Sequence, residues 1–182
     1  MVIKLENIEF KPLEELDFEL LHKWYNTGFV NEWFGKELKK WSYNDILNKY
    51  KPYINGQKPT NAFIILYDKL KIGYIQTYFL SNYPEYKELV NADNYSAGLD
   101  LFIGEKEYIH KGLGSIIIRK FLIEKVFINN EINKCVIGPE PKNLSAIKAY
   151  EKVGFRYIRS IKTPEEDEPE YIMEINKNEI IK

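Results

Sequence analysis

Gly98-Leu-Asp-Leu-Phe-Ile-Gly-Glu-Lys-Glu-Tyr-Ile-His-Lys-Gly-Leu-Gly114 is the stretch on which the reading of this chain turns. Its first half is an apolar strand with one acid, Asp100, set inside it. A short loop follows, and Lys111-Gly-Leu-Gly-Ser115 then opens the most apolar helix of the sequence. Glycines let a backbone come close to a ligand, and the first amides of a helix are unpaired donors with partial positive charge. Such a turn suits a pyrophosphate. It is neither a Walker A loop, which needs Gly-Lys-Ser/Thr four residues after a glycine, nor a dinucleotide fingerprint, whose third glycine is missing. The expectation is a phosphate-bearing cofactor at the glycine turn, with chemistry beside it at the acid.

Working outward, the strand spans Tyr95–Ile103 and the helix Gly112–Phe127, with Leu113, Ile116, Ile117, Phe121 and Leu122 on its inner side. Upstream, residues 2–10 alternate as a half-buried first strand, and Leu13–Tyr25 carry helical spacing up to Asn26-Thr-Gly28. Phe29–Gly35 is too aromatic for an idle loop; it reads equally as a hydrophobic plug or a substrate-facing wall. Ser42-Tyr-Asn-Asp45 resembles a capping box that opens a helix closed by Pro52 and Asn55-Gly56. Ala62–Tyr67 and Lys71–Leu80 form a hairpin, in which Gly73 marks a close backbone approach. Residues 81–94 read as a polar loop. Downstream come a buried strand at Lys134–Gly138, a helix at Asn143–Val153 ended by Gly154, and strands at Phe155–Ile161 and Glu170–Ile175. Hairpins followed by a β-α-β-α unit predict a mixed sheet with helices on both faces, an α/β (α+β) protein in one domain over 1–182.

Composition narrows the function. Lys+Arg 26 against Asp+Glu 27 gives a net charge of −1, so no global field draws the chain to nucleic acid. One cysteine, Cys135, excludes an internal disulfide, and with two histidines it makes a Cys/His metal site a poor expectation. Cys135 lies in the apolar run Lys134–Ile137 and reads as a buried strand thiol. The sequence starts without a signal-peptide pattern and has no run able to span a bilayer, so the expected address is the cytoplasm.

A second motif gives the first its meaning. In Asn143-Leu-Ser-Ala-Ile-Lys-Ala-Tyr-Glu-Lys-Val-Gly-Phe155, residues Ala146, Ile147, Tyr150 and Val153 make one apolar face, on which Tyr150 is either packed core or a functional hydroxyl. Together with Lys-Gly-Leu-Gly, this motif resembles the two acetyl-CoA motifs of the GNAT superfamily of N-acetyltransferases, whose sheet is mixed and mostly antiparallel. Ile109 stands where that superfamily usually has Gln or Arg. Further segments, Val30–Gly35, Ile72-Gly-Tyr-Ile-Gln76, Gly98-Leu-Asp100, Thr163-Pro164 and Tyr171-Ile-Met173, are similar in this order to the aminoglycoside 6′-N-acetyltransferases.

The resemblance implies an amine that attacks acetyl-CoA directly in a ternary complex, with Asp100 holding the amine and Tyr150 near the thioester sulfur. It assigns the cofactor to the backbone of Leu101, Phe102 and Ile103, to His110, Lys111, Gly112, Leu113, Gly114 and Ser115, and to Asn143, Ala146, Tyr150 and Lys152. An ammonium cannot attack, so the site must bind it and release a proton. A free Asp near pKa 4 lies about six units below a lysine-like amine, which favours holding and relay over proton storage. A small polycationic substrate calls for an acidic cleft, which the acids of residues 85–93 and of Glu165-Glu-Asp-Glu-Pro-Glu170 are expected to supply from the rim; Glu85, Glu140 and Glu168 are candidates beside Asp100 and the aromatic Trp33. Gly138-Pro139 stands where the aminoglycoside enzymes have Asp-Pro. The alternatives are acetylation of a polyamine, a peptide N-terminus or an amino sugar, and a catalytically idle acyl-CoA-binding module. A monomer and a homodimer are both compatible with the sequence.

Overall fold

The computed structural model describes residues 4–34, 40–162 and 169–181. In chain order its elements are β1 (Ile8–Pro12), α1 (Phe18–Tyr25), α2 (Gly28–Phe34), α3 (Tyr43–Ile54), β2 (Thr60–Tyr67), β3 (Leu70–Phe79) and α4 (Pro84–Leu89). There follow β4 (Ser96–Ile103), α5 (Leu113–Phe121), β5 (Lys134–Ile137), α6 (Leu144–Val153), β6 (Arg156–Ile161), β7 (Glu170–Asn176) and α7 (Lys177–Ile180). The strands are ordered β1-β2-β3-β4-β5-β7-β6 in a seven-stranded, mostly antiparallel sheet. Its parallel step is β4 to β5, where Ser96–Gly98 pair with Lys134–Val136.

The chain divides into two units. The first takes the residues up to Gln76 together with Asp100–Ile109, and the second takes Thr77–Leu99 and the residues from His110 onward. β3 and β4 each contribute residues to both.

In the first unit, β2 and β3 are joined by Asp68 and Lys69, both at positive φ (50° and 65°), a two-residue turn whose twist matches a hairpin. Trp24, Tyr25, Tyr50, Tyr74 and Phe102 are buried together in an aromatic core. Tyr74 stacks on Phe102 at 5.6 Å, and Tyr25 and Trp24 meet Phe102 edge-on at 5.6 and 5.9 Å. Burying each such ring stabilises the fold by about 1.5–3 kcal/mol. The sequence places Leu13–Tyr25 in one helix, but α1 begins only at Phe18. Leu13 is tied to β2 by its N–H to the Ala62 carbonyl (2.9 Å), so the chain leaves β1 extended, and Leu16 ends 87% exposed. Asp17, fully buried, accepts from the backbone N–H of Glu14 and pairs with Lys71 of β3. β1 likewise starts at Ile8, behind a 3-10 turn at Leu5–Asn7. The capping box forms as expected, with Ser42 and Asp45 bonded reciprocally. Pro52 lies inside α3 instead of closing it; the stop comes at Asn55 and Gly56, the latter at φ 76°.

In the second unit, Leu80, Val90, Val136, Ile161 and Ile172 form one buried cluster, with Tyr78 and Tyr86 packed against it. The expected polar loop at 81–94 contains α4, with Pro84 in its first turn, where a missing N–H costs nothing. α5 passes into a π-turn at Leu122–Val126, closed by the Phe127 N–H on the Leu122 carbonyl (2.8 Å). Ile118 joins Leu113, Ile117, Phe121 and Leu122 in burial, while Ile116 is half-buried. α6 behaves as read. The Asn143 side chain caps its start by accepting from the Ala146 N–H (3.1 Å), and Gly154 ends it at φ 119°. Cys135 is buried in β5.

Candidate active site

The acid is built in the first unit. β4 is buried almost throughout, and Asp100 stands half-buried between buried neighbours. Its Oδ2 accepts from Gln76 Nε2 at 2.7 Å, and Gln76 Oε1 in turn accepts from the Tyr74 hydroxyl at 2.6 Å. Burial first, then Tyr25, Tyr53 and the charge on Asp100, lift the Tyr74 hydroxyl well above the ordinary tyrosine value, so it stays neutral and donates. The amide is thereby fixed with its NH₂ toward the carboxylate. Gln76 and Tyr74 were not singled out as site residues. They lie two apart on β3, and period-two alternation opposite an acid was the signal available.

Leu101 and Phe102 are buried, and Ile103 is half-buried. Gly73 makes the close approach expected of it, since a Cβ there would collide with the Phe102 carbonyl oxygen and stand 3.0 Å from Ile103 Cα. Past the strand, Glu105 accepts from Lys23 Nζ and Trp24 Nε1, both at 2.8 Å. Burial alone would raise the Glu105 carboxyl, but those two donors outweigh it and hold it below its usual value. On α2, Phe29 and Phe34 pack against the aromatic core as a plug, and Trp33 on the same helix is half-buried.

The glycine turn belongs to the second unit. His110 is at φ 57° and Gly112 at φ 79°, so the backbone is turned twice before α5. Gly112 is the N-cap of α5 and makes no side-chain cap bond to the first-turn amides of Leu113, Gly114 and Ser115. Leu113 is buried and anchors the turn, while His110 and Lys111 are exposed. The Ser115 hydroxyl donates to the Gly112 carbonyl at 3.2 Å. A Cβ on Gly114 would meet only Ala149 of α6, at 3.8 Å, so α5 and α6 run close there. Donors without a capping side chain, at the start of a long helix, fit a pyrophosphate.

Asn143 and Ala146 are engaged with each other as the cap of α6. Tyr150 is 8% exposed and packs on Phe155 at 6.1 Å, and Lys152 is exposed in the last turn. Glu85 is exposed at the start of α4, and Glu140 is half-buried, its carbonyl accepting from the Asn143 N–H. Glu168 and Thr163-Pro164 lie outside the described residues. Among the described residues, no group of three or more His, Cys, Asp or Glu could hold a metal ion, and no helix is long and apolar enough to cross a membrane.

The family model for the acetyltransferase (GNAT) domain matches residues 14–163. The chain belongs to the GNAT acetyltransferases. Among curated relatives, this GNAT chain is 28% identical over 160 residues to aminoglycoside N(6′)-acetyltransferase type 1 of Klebsiella pneumoniae, covering 88% of the chain and 79% of the relative. Among solved structures, aminoglycoside acetyltransferase AAC(6′)-Ib with coenzyme A and kanamycin superposes at a TM-score of 0.81 and 26% identity, covering 94% of this chain and 96% of that one. Spermidine N-acetyltransferase of Vibrio cholerae shares the fold at a TM-score of 0.74 and 18% identity, covering 97% and 99%.

Gln76→Leu removes the donor to Asp100 without touching the glycine turn. We expect kcat/KM to fall about tenfold, the effect of one charge-assisted hydrogen bond, with an unchanged Kd for coenzyme A by calorimetry.

Proposed function

We propose that this GNAT chain is an acetyl-CoA-dependent N-acetyltransferase acting on a primary amine of an aminoglycoside, the 6′-amine, by direct attack in a ternary complex, and that it works in the cytoplasm as one domain. The observation that carries this reading is the Asp100 carboxylate, set in an apolar strand and oriented by Gln76 and Tyr74. The relatives and solved structures that resemble the chain over most of its length support the substrate class.

Acetyl-CoA supplies an acetyl group activated as a thioester. The first-turn amides Leu113, Gly114 and Ser115, with the His110 and Lys111 side chains, would hold its pyrophosphate, and the backbone of Leu101–Ile103 would pair with its pantetheine arm. Asn143, Ala146 and Lys152 complete the proposed cofactor set at the second motif. Asp100 binds the acceptor ammonium through a charge-assisted hydrogen bond and passes its proton on through water. The Tyr150 hydroxyl holds a proton for the departing thiolate; phenol and thiol, at about 10 and 8.5, are close enough for that transfer. Trp33, Glu85, Glu140 and Glu168 are proposed contacts to the acceptor.

Thiol release from acetyl-CoA in the presence of kanamycin, spermidine and a peptide panel tests the reading. Kanamycin should be turned over with the highest kcat/KM. Preference for spermidine or peptides would replace the substrate, and tight coenzyme A binding with no turnover of any amine would leave a binding module. Tyr150→Phe should lower kcat about tenfold, within the range for general acid catalysis, with an unchanged KM for acetyl-CoA. An equal kcat would return Tyr150 to the packed core.

A further inference from the structure

The end of β4 is held from two directions within the first unit. Gly104 and Glu105 follow the strand, and both donate their N–H groups to the Ile72 carbonyl of β3, at 2.8 and 3.3 Å. Two donors share one acceptor there, so the backbone alone secures this exit weakly. From α1, the Trp24 indole meets Phe102 edge-on at 5.9 Å and reaches Gly104, where an added Cβ would collide with the ring. Only a residue without a side chain admits the indole so closely. Its Nε1 donates to Oε1 of Glu105 at 2.8 Å, and the Lys23 ammonium donates to the same oxygen at 2.8 Å. Trp24 and Gly104 are buried, and Glu105 is half-buried. The Lys23 side chain is 58% exposed, so water and salt screen its ion pair, and the indole bond is the firmer hold.

From this geometry we propose that Glu105 is a positioning residue: by tying the exit of β4 to Trp24, it holds the backbone of Leu101–Ile103 ready for the pantetheine arm of acetyl-CoA. The proposal rests on the pairing of that arm with Leu101–Ile103 put forward above. Such pairing adds an extended ligand to a strand, and main-chain hydrogen bonds then carry the affinity. A backbone fixed beforehand loses less conformational freedom when the ligand arrives, so the hold on the strand's exit appears as tighter binding of the arm. The pyrophosphate has its own proposed donors in the turn before α5, and Glu105 has no part in them. No local pattern marks Glu105, because its partners lie 81 and 82 positions upstream.

Calorimetry on the full chain with two ligands tests this without any acceptor amine. Coenzyme A carries the pantetheine arm, whereas 3′-phospho-ADP has the same pyrophosphate and lacks the arm. Glu105→Ala removes the acceptor for both donors. Its Kd for coenzyme A should rise about tenfold, the effect of losing one charge-assisted hydrogen bond, while its Kd for 3′-phospho-ADP stays at the wild-type value. Glu105→Gln keeps an oxygen for Trp24 and Lys23 and should recover most of the affinity. A merely structural role would lower the melting temperature and leave the ratio of the two Kd values unmoved. Glu105→Asp, one methylene shorter, draws the carboxylate away from the indole and should show the same rise; it carries the comparison if Glu105→Ala melts early. An unchanged Kd for coenzyme A in both variants, or an equal rise for 3′-phospho-ADP, overturns the role of Glu105. A wild type that binds 3′-phospho-ADP as tightly as coenzyme A refutes the pairing of the arm itself and the role of Glu105 with it. That result is read on the wild type alone, so the two failures are distinct.

Discussion

Asp100→Asn is expected to lower kcat/KM by about 10²-fold or more, close to 2.7 kcal/mol of transition-state stabilisation, while the Kd for coenzyme A stays at the wild-type value. The two outcomes should separate because the turn proposed to hold the cofactor and the strand that carries the acid are different pieces of backbone. Asp100 lies on β4 and accepts a hydrogen bond from Gln76. Asparagine preserves size and one acceptor oxygen but loses the charge that, in the proposed mechanism, holds an ammonium and passes its proton on. Raising the pH should recover part of the lost rate, since a larger fraction of the amine then arrives already neutral. A variant as fast as wild type at neutral pH would remove Asp100 from the mechanism.

Gly73→Val should cost about 3 kcal/mol of folding free energy, the upper end for forcing atoms into a packed interior. Its Cβ would run into the Phe102 carbonyl oxygen, with Ile103 Cα at 3.0 Å, and neither can turn aside as a flexible side chain could. At about 2–4 °C per kcal/mol for a chain of this size, the melting temperature should fall by roughly 6–12 °C. Gly114→Ala is the comparison: its Cβ meets Ala149 at an ordinary 3.8 Å, and no such drop is expected. An unchanged melt for Gly73→Val would mean that β3 and β4 can part at this point without loss.

What was legible in the sequence was local. α6 could be read whole because cap, apolar face and C-terminal glycine all lie within Asn143–Gly154. The turn at His110–Ser115 was readable for the same reason, as was Gly73, whose strand context leaves few other uses for a glycine. The misreadings came from contacts distant in sequence. The start of α1 is delayed by a bond from Leu13 to Ala62, 49 positions on (62 − 13). The support of Asp100 comes from Gln76 and Tyr74 on another strand. The π-turn at Leu122–Val126 has no residue signature of its own, and within α5 Ile118 is buried while Ile116 is only half-buried.

The pairing of Asp17 with Lys71 bears on how the first hairpin avoids misfolding. Side chains alternate along a strand, so a one-residue slip of β3 would carry Lys71 to the opposite face and break its ion pair with the buried Asp17. Apolar neighbours such as Ile64 and Ile75 would tolerate an exchange of one aliphatic partner for another far better. The acid at the head of α1 therefore acts as a proofreader of strand alignment. Because Tyr74 and Gln76 lie further along the same strand, that check reaches them too: a correctly seated Lys71 puts both on the face from which Asp100 is held.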